Sequence, residues 1–440
     1  MTNLYILMWI YLVYLGVSFW LFGYNFMSPS VVFFVSMSIM LCVAYYAANN
    51  MQMLFAINMQ TFTIFAWGGF FFLAAEFMVY AGQAVRCFRN APLVPQDMPA
   101  KPEPLFIHWQ IQVSAMIFLA VSCVLAFAVL YMNTGGITLH AKMKEFRSLL
   151  FYHPENIKYL FIIAQLYKVN LVISNLFGYV MLYNMTVCNI PARKLLVLLA
   201  CVMLYAIFSV FYTCARQSFM EVWLCMAMMY ITINMRPGGK EKIFKFVLKL
   251  IPVLILTASF FTAMGVLVGR NKTTTKSSSL QFVEYLSGGL YSFNLHVDNG
   301  ASSKYFGQST FSYVYLIPQH LGLMPKFEND KFIGKFELYG NMVTIFGRWH
   351  EDFGAVGVCV MACIVSTLYS LVFYRKLIYS ENQSREHHLT RIYYCQFMTG
   401  LMWAGTDDRV CALFTAQSVV FLALTAILYK ILVVGRFKLA

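Results

Sequence analysis

Runs of about twenty apolar residues recur along this chain, and that repetition constrains its fold more than any other feature. A helix needs roughly 20 apolar residues to cross about 30 Å of hydrocarbon, and only helices and closed barrels leave no backbone group unpaired there. Such runs occupy 4–22, 31–47, 62–81, 109–132, 159–183, 195–213, 219–235, 246–268, 353–374, 393–405 and 410–434. They are too long for strands and lack period-two alternation, which excludes an outer-membrane barrel. Composition agrees, with 60% hydrophobic and only 11% charged residues. The expected fold is an all-α polytopic integral membrane protein of about eleven transmembrane helices.

The net charge of +14 does not point to nucleic acid, because the cations are split among short loops with no continuous basic face. They fall in alternate loops: Arg86, Arg89 and Lys101; Arg193 and Lys194; Arg236, Lys240, Lys242, Lys245 and Lys249; Arg375, Lys376, Arg385 and Arg391; Arg436 and Lys438. By the positive-inside rule those loops and the C-terminus are cytoplasmic, and counting back places the N-terminus outside. The first run has neither a basic n-region nor a small-residue cleavage site, so it reads as a retained helix. Most of the 11 cysteines lie inside apolar runs, where they act as small apolar residues, and no metal-binding Cys/His spacing occurs.

This topology gives three blocks: eight helices with short loops over 1–268, one long external loop over 269–351, and three helices with a cytoplasmic C-terminus over 352–440. The external segments are 133–158 with Lys142, Lys144, Glu145 and Arg147, the tight link around Arg216, the long loop, and the 406–409 turn. A loop of that length is expected to fold on itself and to carry function. Within it, Ser279 to Asn294 is aromatic and glycine-centred and predicts an interfacial helix broken at Gly288 and Gly289. No internal repeat is visible, which argues against a transporter built from inverted halves.

Charge is scarce, so its clustering is informative. The stretch from Gly340 and Asn341 to Gly354 gathers Arg348, His350, Glu351 and Asp352 at the mouth of the ninth run. Arg216 interrupts an apolar hairpin and Arg270 ends the eighth run. Three guanidinium groups at external helix mouths fit an anion, since the planar fork pairs with phosphate oxygens. Each also has an ordinary reading as a snorkelling anchor. His350 can take a proton from a hydroxyl near neutral pH, with Glu351 or Asp352 orienting its ring. Asp352 can instead cap the ninth helix. Glu221, about one turn below Arg216, predicts an ion pair with it; Glu76 lies inside a run with no evident partner. Asp407 and Asp408 fit either a divalent cation or an ion pair with Arg409. Metalloprotease, Walker and nucleophile-elbow motifs are absent.

With these residues in view, the chain resembles the bacterial oligosaccharide repeat-unit polymerases of the Wzy type, which build O-antigen and exopolysaccharide chains. The resemblance rests on the many-span layout, the long external loop in the second half, Tyr285 to Asn294, and Gly340-Asn341 through Gly354 leading into a span. The O-antigen ligases share that architecture. The resemblance implies a metal-independent glycosyltransferase with a GT-C-like fold and no cofactor, in the bacterial cytoplasmic membrane. Its partners would be undecaprenyl diphosphate-linked glycans, the bilayer and a chain-length regulator. It places Arg216 and Arg270 at the diphosphate-binding arginine positions, with Arg348 able to exchange with Arg270, and His350 at the position of a functional histidine. Glu221, Tyr285 and Asn341 are supporting residues. The alternatives are a ligase, a polysaccharide flippase or other transporter, and a non-catalytic scaffold.

Overall fold

Apolar runs without strand-period alternation satisfy their own backbone only as helices, and every regular element among the described residues is helical. The computed structural model describes residues 2–50, 56–89, 103–214, 216–234, 278–299, 303, 305–311, 314–315, 318–319, 321–325, 344–378, 385–406, 409–410 and 416–434. The α-helices are α1 (Thr2–Leu21), α2 (Pro29–Asn50), α3 (Met59–Arg89), α4 (Trp109–Met132), α5 (Leu139–Tyr152), α6 (Leu160–Thr186), α7 (Leu196–Thr213) and α8 (Arg216–Asn234). They continue with α9 (Ser278–His296), α10 (Ile345–Val372), α11 (Arg385–Met402) and α12 (Ala416–Tyr429).

Among the described residues seven helices are long and apolar enough to cross a membrane: α1, α2, α3, α4, α6, α7 and α10. Two shorter apolar helices, Ser218–Asn234 and Ser418–Val434, accompany them. The run at 246–268 lies outside the described residues. Outward faces are as apolar as the interior. Val356, Val360, Ile364 and Leu368 form an exposed stripe along α10, with Val356 77% exposed, and Ile117, Val121 and Val124 do the same on α4. In water such stripes would carry a large hydration cost; in lipid they carry none. The protein is therefore a multi-pass, all-helical membrane protein.

The chain divides into two compact units. One comprises Met1–Pro95, Ser279–Gln383 and Gln396–Val419, and its core is aromatic. Phe33 stacks on Phe72 at 4.2 Å, while Phe65 meets Phe346 and Phe293 edge-on at 5.0 and 5.2 Å. Helices α3 and α10 pack closely because Gly68 leaves room for Phe346, whose Cζ would lie 2.8 Å from any Cβ there. Ser36 Oγ donates to Met402 O at 2.9 Å and accepts from the Gly405 amide at 3.1 Å, tying α2 to the end of α11.

Glu76, which had no evident partner in the sequence, is fully buried in this unit. Its Oε2 accepts the Ser30 amide at 2.5 Å and its Oε1 accepts the Tyr374 hydroxyl at 2.7 Å. Ser30 lies in the first turn of α2, whose amides have no partner within the helix, and Pro29 begins that turn without an amide to satisfy. A carboxylate from α3 thus caps α2, where the helix dipole favours negative charge, and Tyr374 brings in the π-helical turn Phe373–Ile378 that follows α10.

The second unit comprises Gln96–Ser278, Ser384–Cys395 and Val420–Ala440. Here α7 packs against α4, α6 and α8. Asn184 is buried in α6 and bonds both backbone groups of Leu105, at 2.9 and 2.7 Å, tying α6 to the stretch before α4. The Tyr179 hydroxyl and His388 Nδ1 are 2.8 Å apart. Between α4 and α6, α5 is amphipathic, burying Met143 and Phe146 while exposing Lys144 and Glu145. Its cap is Thr138, whose hydroxyl accepts the Ala141 amide at 3.2 Å.

Candidate functional site

The charged motif does not precede a helix; it forms the first turns of one. Helix α10 starts at Ile345 rather than near 353, because Ile345, Phe346 and Trp349 fall on one face and are buried completely. That apolar spacing is helical even though the charges between them depress hydropathy. At Gly354 the backbone leaves helical geometry, with φ 66° and ψ −170°. A residue with a Cβ resists that left-handed conformation, so glycine allows the kink separating the charged turns from the apolar run.

The acidic side chains hold Ser303, Ser309 and Thr310 of the long loop. Asp352 Oδ1 accepts the Ser303 hydroxyl at 2.5 Å and the Ser309 amide at 2.9 Å, while Oδ2 accepts the Thr310 amide at 2.6 Å. Glu351 Oε2 accepts the Ser309 hydroxyl, and its carbonyl accepts the Ser303 amide at 3.3 Å. Arg348 Nη1 points to Ser309 O at a long 3.4 Å. The alternative reading of Asp352 as a helix cap is thereby corrected: Thr344 occupies the N-cap position of α10, and Asp352 caps amides of the loop instead.

His350 is 4% exposed and meets the Phe293 ring edge-on at 5.5 Å. No hydrogen bond holds its ring among the described residues, so the neighbouring carboxylates do not orient it here. Its position is set by packing against α9. That helix runs unbroken through Gly288 and Gly289, which corrects the expected break. The glycine serves close approach: a Cβ on Gly289 would lie 3.1 Å from Gly405 O and 3.2 Å from Thr344 N. On α9 Tyr285 faces Trp403 at 6.4 Å, and Asn294 bonds Asn58 N and Ala56 O, both at 2.9 Å.

Neither family models, curated proteins nor solved structures match this chain.

Arg216 opens α8 in the second unit, after Cys214 turns the chain at φ 47°. Its side chain lies outside the described residues, as does the predicted pair with Glu221; Glu221 itself is within electrostatic reach of Tyr205 and Cys225. Arg270, Asn341, Asp407 and Asp408 lie outside the described residues. Among those described, no group of three or more His, Cys, Asp or Glu side chains is arranged for a metal ion.

Sequence reasoning missed Ser303, Ser309, Thr310 and Phe293. Two of their contacts with Asp352 are backbone amides, which leave no side-chain signature, although the Ser309-Thr310 hydroxyl pair is a turn signal. Replacing Asp352 with alanine should free this stretch. Charge-assisted hydrogen bonds contribute about 1.5–3 kcal/mol each, so amide exchange at Ser309 and Thr310 is expected to accelerate by about tenfold or more. Hydrogen-exchange mass spectrometry reads this directly, and unchanged protection would show that the loop is held by other contacts.

Proposed function

We propose that this protein is a membrane glycosyltransferase that polymerises undecaprenyl diphosphate-linked oligosaccharide repeat units at the external face of the bacterial cytoplasmic membrane. The proposal includes eleven spans with the N-terminus outside, a GT-C-like architecture and the sidedness given by alternate basic loops. The observation that carries it is local to α10. An apolar helix ends in two turns bearing a guanidinium and an imidazole, and the flanking carboxylates fasten a polar loop beside them. The imidazole is left without a hydrogen-bond partner among the described residues.

In the proposed reaction the C1–O bond between the growing glycan and its lipid diphosphate breaks, and the electron pair leaves on the diphosphate oxygen. A new C1–O bond forms to a hydroxyl of the incoming repeat unit, whose proton passes to His350. Arginines at external helix mouths, Arg216, Arg270 and Arg348, stabilise the negative charge that grows on the leaving group. Cations placed where charge develops lower the barrier more than they tighten ground-state binding. Glu351 and Asp352 act by holding the loop.

The test is reconstitution of the purified protein in vesicles with undecaprenyl diphosphate-linked repeat units and a chelator. A ladder of products is expected. Single transfer to a lipid A core acceptor without a ladder would identify a ligase, and movement of the lipid across the bilayer without covalent product would identify a flippase. Strict dependence on a divalent cation would move the chemistry to Asp407 and Asp408.

A further inference from the structure

The long loop presents an apolar ring among polar neighbours. Ser303, Ser309 and Thr310 are tied to Glu351 and Asp352, yet Phe306 between them is 79% exposed. Its place is nevertheless defined. The ring meets that of Phe353 on α10 at 5.0 Å, and Phe353 lies 6.4 Å from Phe311. Gly307, at φ 68°, admits the Phe311 ring, whose Cδ2 would stand 2.5 Å from any Cβ there. The Tyr315 hydroxyl donates to Phe306 O at 2.5 Å. Phe353 directly precedes the kink at Gly354 and covers Gly357, where a Cβ would overlap its side chain. Val356 beside Gly357 and Val360 one turn on begin the exposed stripe of α10 that faces lipid. Phe306 therefore sits at the edge of that stripe and continues it onto the loop.

We propose that Phe306 inserts into the bilayer at the boundary between headgroups and acyl chains, making this part of the long loop a membrane-surface anchor whose partner is phospholipid. The inference does not depend on the reaction proposed above. Interfacial apolar groups bury themselves about 5–10 Å into that boundary, and a ring stacked on Phe353, where the charged turns of α10 give way to its apolar run, lies at that depth. Lipid removes the hydration cost of the exposed ring. Tyr305 and Tyr315, which flank Phe306, are amphipathic rings of the kind enriched at this level. The stretch is thus held from two sides, its hydroxyls and amides by carboxylates and its phenyl ring by lipid, which sets its depth beside the charged turns.

The experiment places the photoreactive analogue p-benzoylphenylalanine at position 306 of the full-length protein in phosphatidylcholine nanodiscs and reads the adducts formed on irradiation by mass spectrometry. The same analogue at Ile364, on the lipid-facing stripe, supplies the reference. Phosphatidylcholine adducts at 306 are expected within about threefold of the reference yield. A lower yield, or adducts to a second copy or to another part of the chain in place of lipid, would overturn the proposal. Elution profile and melting temperature establish that each variant is folded. Phe306→Trp gives a second measurement that needs no bulky analogue. The emission it adds to that of the wild type is expected to be quenched more by lipids brominated near the headgroup end of the acyl chain than by those brominated near the methyl end. Quenching by aqueous iodide and by neither lipid would place the ring in water and overturn the proposal.

Discussion

Under the proposed reaction, His350→Gln lowers the turnover of lipid-linked repeat units by about a hundredfold or more, within the span of 10²–10⁴ that a positioned general base contributes. Glutamine is the informative substitution because His350 is almost fully buried against Phe293. It fills much of the same space and keeps a hydrogen-bonding end but cannot carry a proton at neutral pH. The loss is expected in kcat, with KM for the donor lipid little changed, since proton transfer is made only in the transition state. Arg348→Ala should instead affect binding and turnover together. Initial rates at several donor concentrations separate the two, and His350→Gln with wild-type kcat would remove His350 from the chemistry.

The second large effect concerns stability. Glu76→Ala removes a buried carboxylate that receives the Ser30 amide and the Tyr374 hydroxyl, and leaves both donors facing a cavity. Leaving a buried donor unsatisfied costs about 1–3 kcal/mol, so with two donors the loss is expected to be about 2–6 kcal/mol. Glu76→Gln retains one good acceptor and should lose roughly half of that. Thermal unfolding of the detergent-solubilised protein, followed by tryptophan fluorescence, gives the order wild type, Gln, Ala. Equal melting temperatures for all three would show that the amide and phenol find other partners. An intramembrane carboxylate is often functional, but here the end of a helix neutralises it, which makes it a fastening.

What could be read from the chain depended on whether the signal was local. Helix α4 occupies the run 109–132 because the run is uncharged and mostly apolar and is bounded by His108 and Asn133. Helix α10 begins earlier than hydropathy implies, because Arg348, Glu351 and Asp352 lie on its polar side while Ile345, Phe346 and Trp349 keep the helical spacing. Gly288 and Gly289 suggested a break, yet a helix tolerates glycine where another backbone must approach, as Thr344 and Gly405 do. The partners of Glu76 were out of reach, being separated from it by 46 and 298 residues, one of them a backbone amide. At the candidate site the clustering of Arg348, His350, Glu351 and Asp352 was visible in the sequence, but the direction each side chain takes was not. Consecutive residues on a helix point about 100° apart, which sends two carboxylates to the loop and the imidazole elsewhere.

The bond from Ser36 to Met402 joins groups 366 residues apart. While the chain is being made, α2 must wait in the bilayer with that serine lacking its eventual acceptor until nearly the whole protein has been inserted. Biogenesis would then follow a sequence in which helices enter singly and the bundle closes late. A ribosome that stalled before residue 402 would leave α2 packed on α1 and α3 but with Ser36 lacking its acceptor, a natural target for membrane proteases.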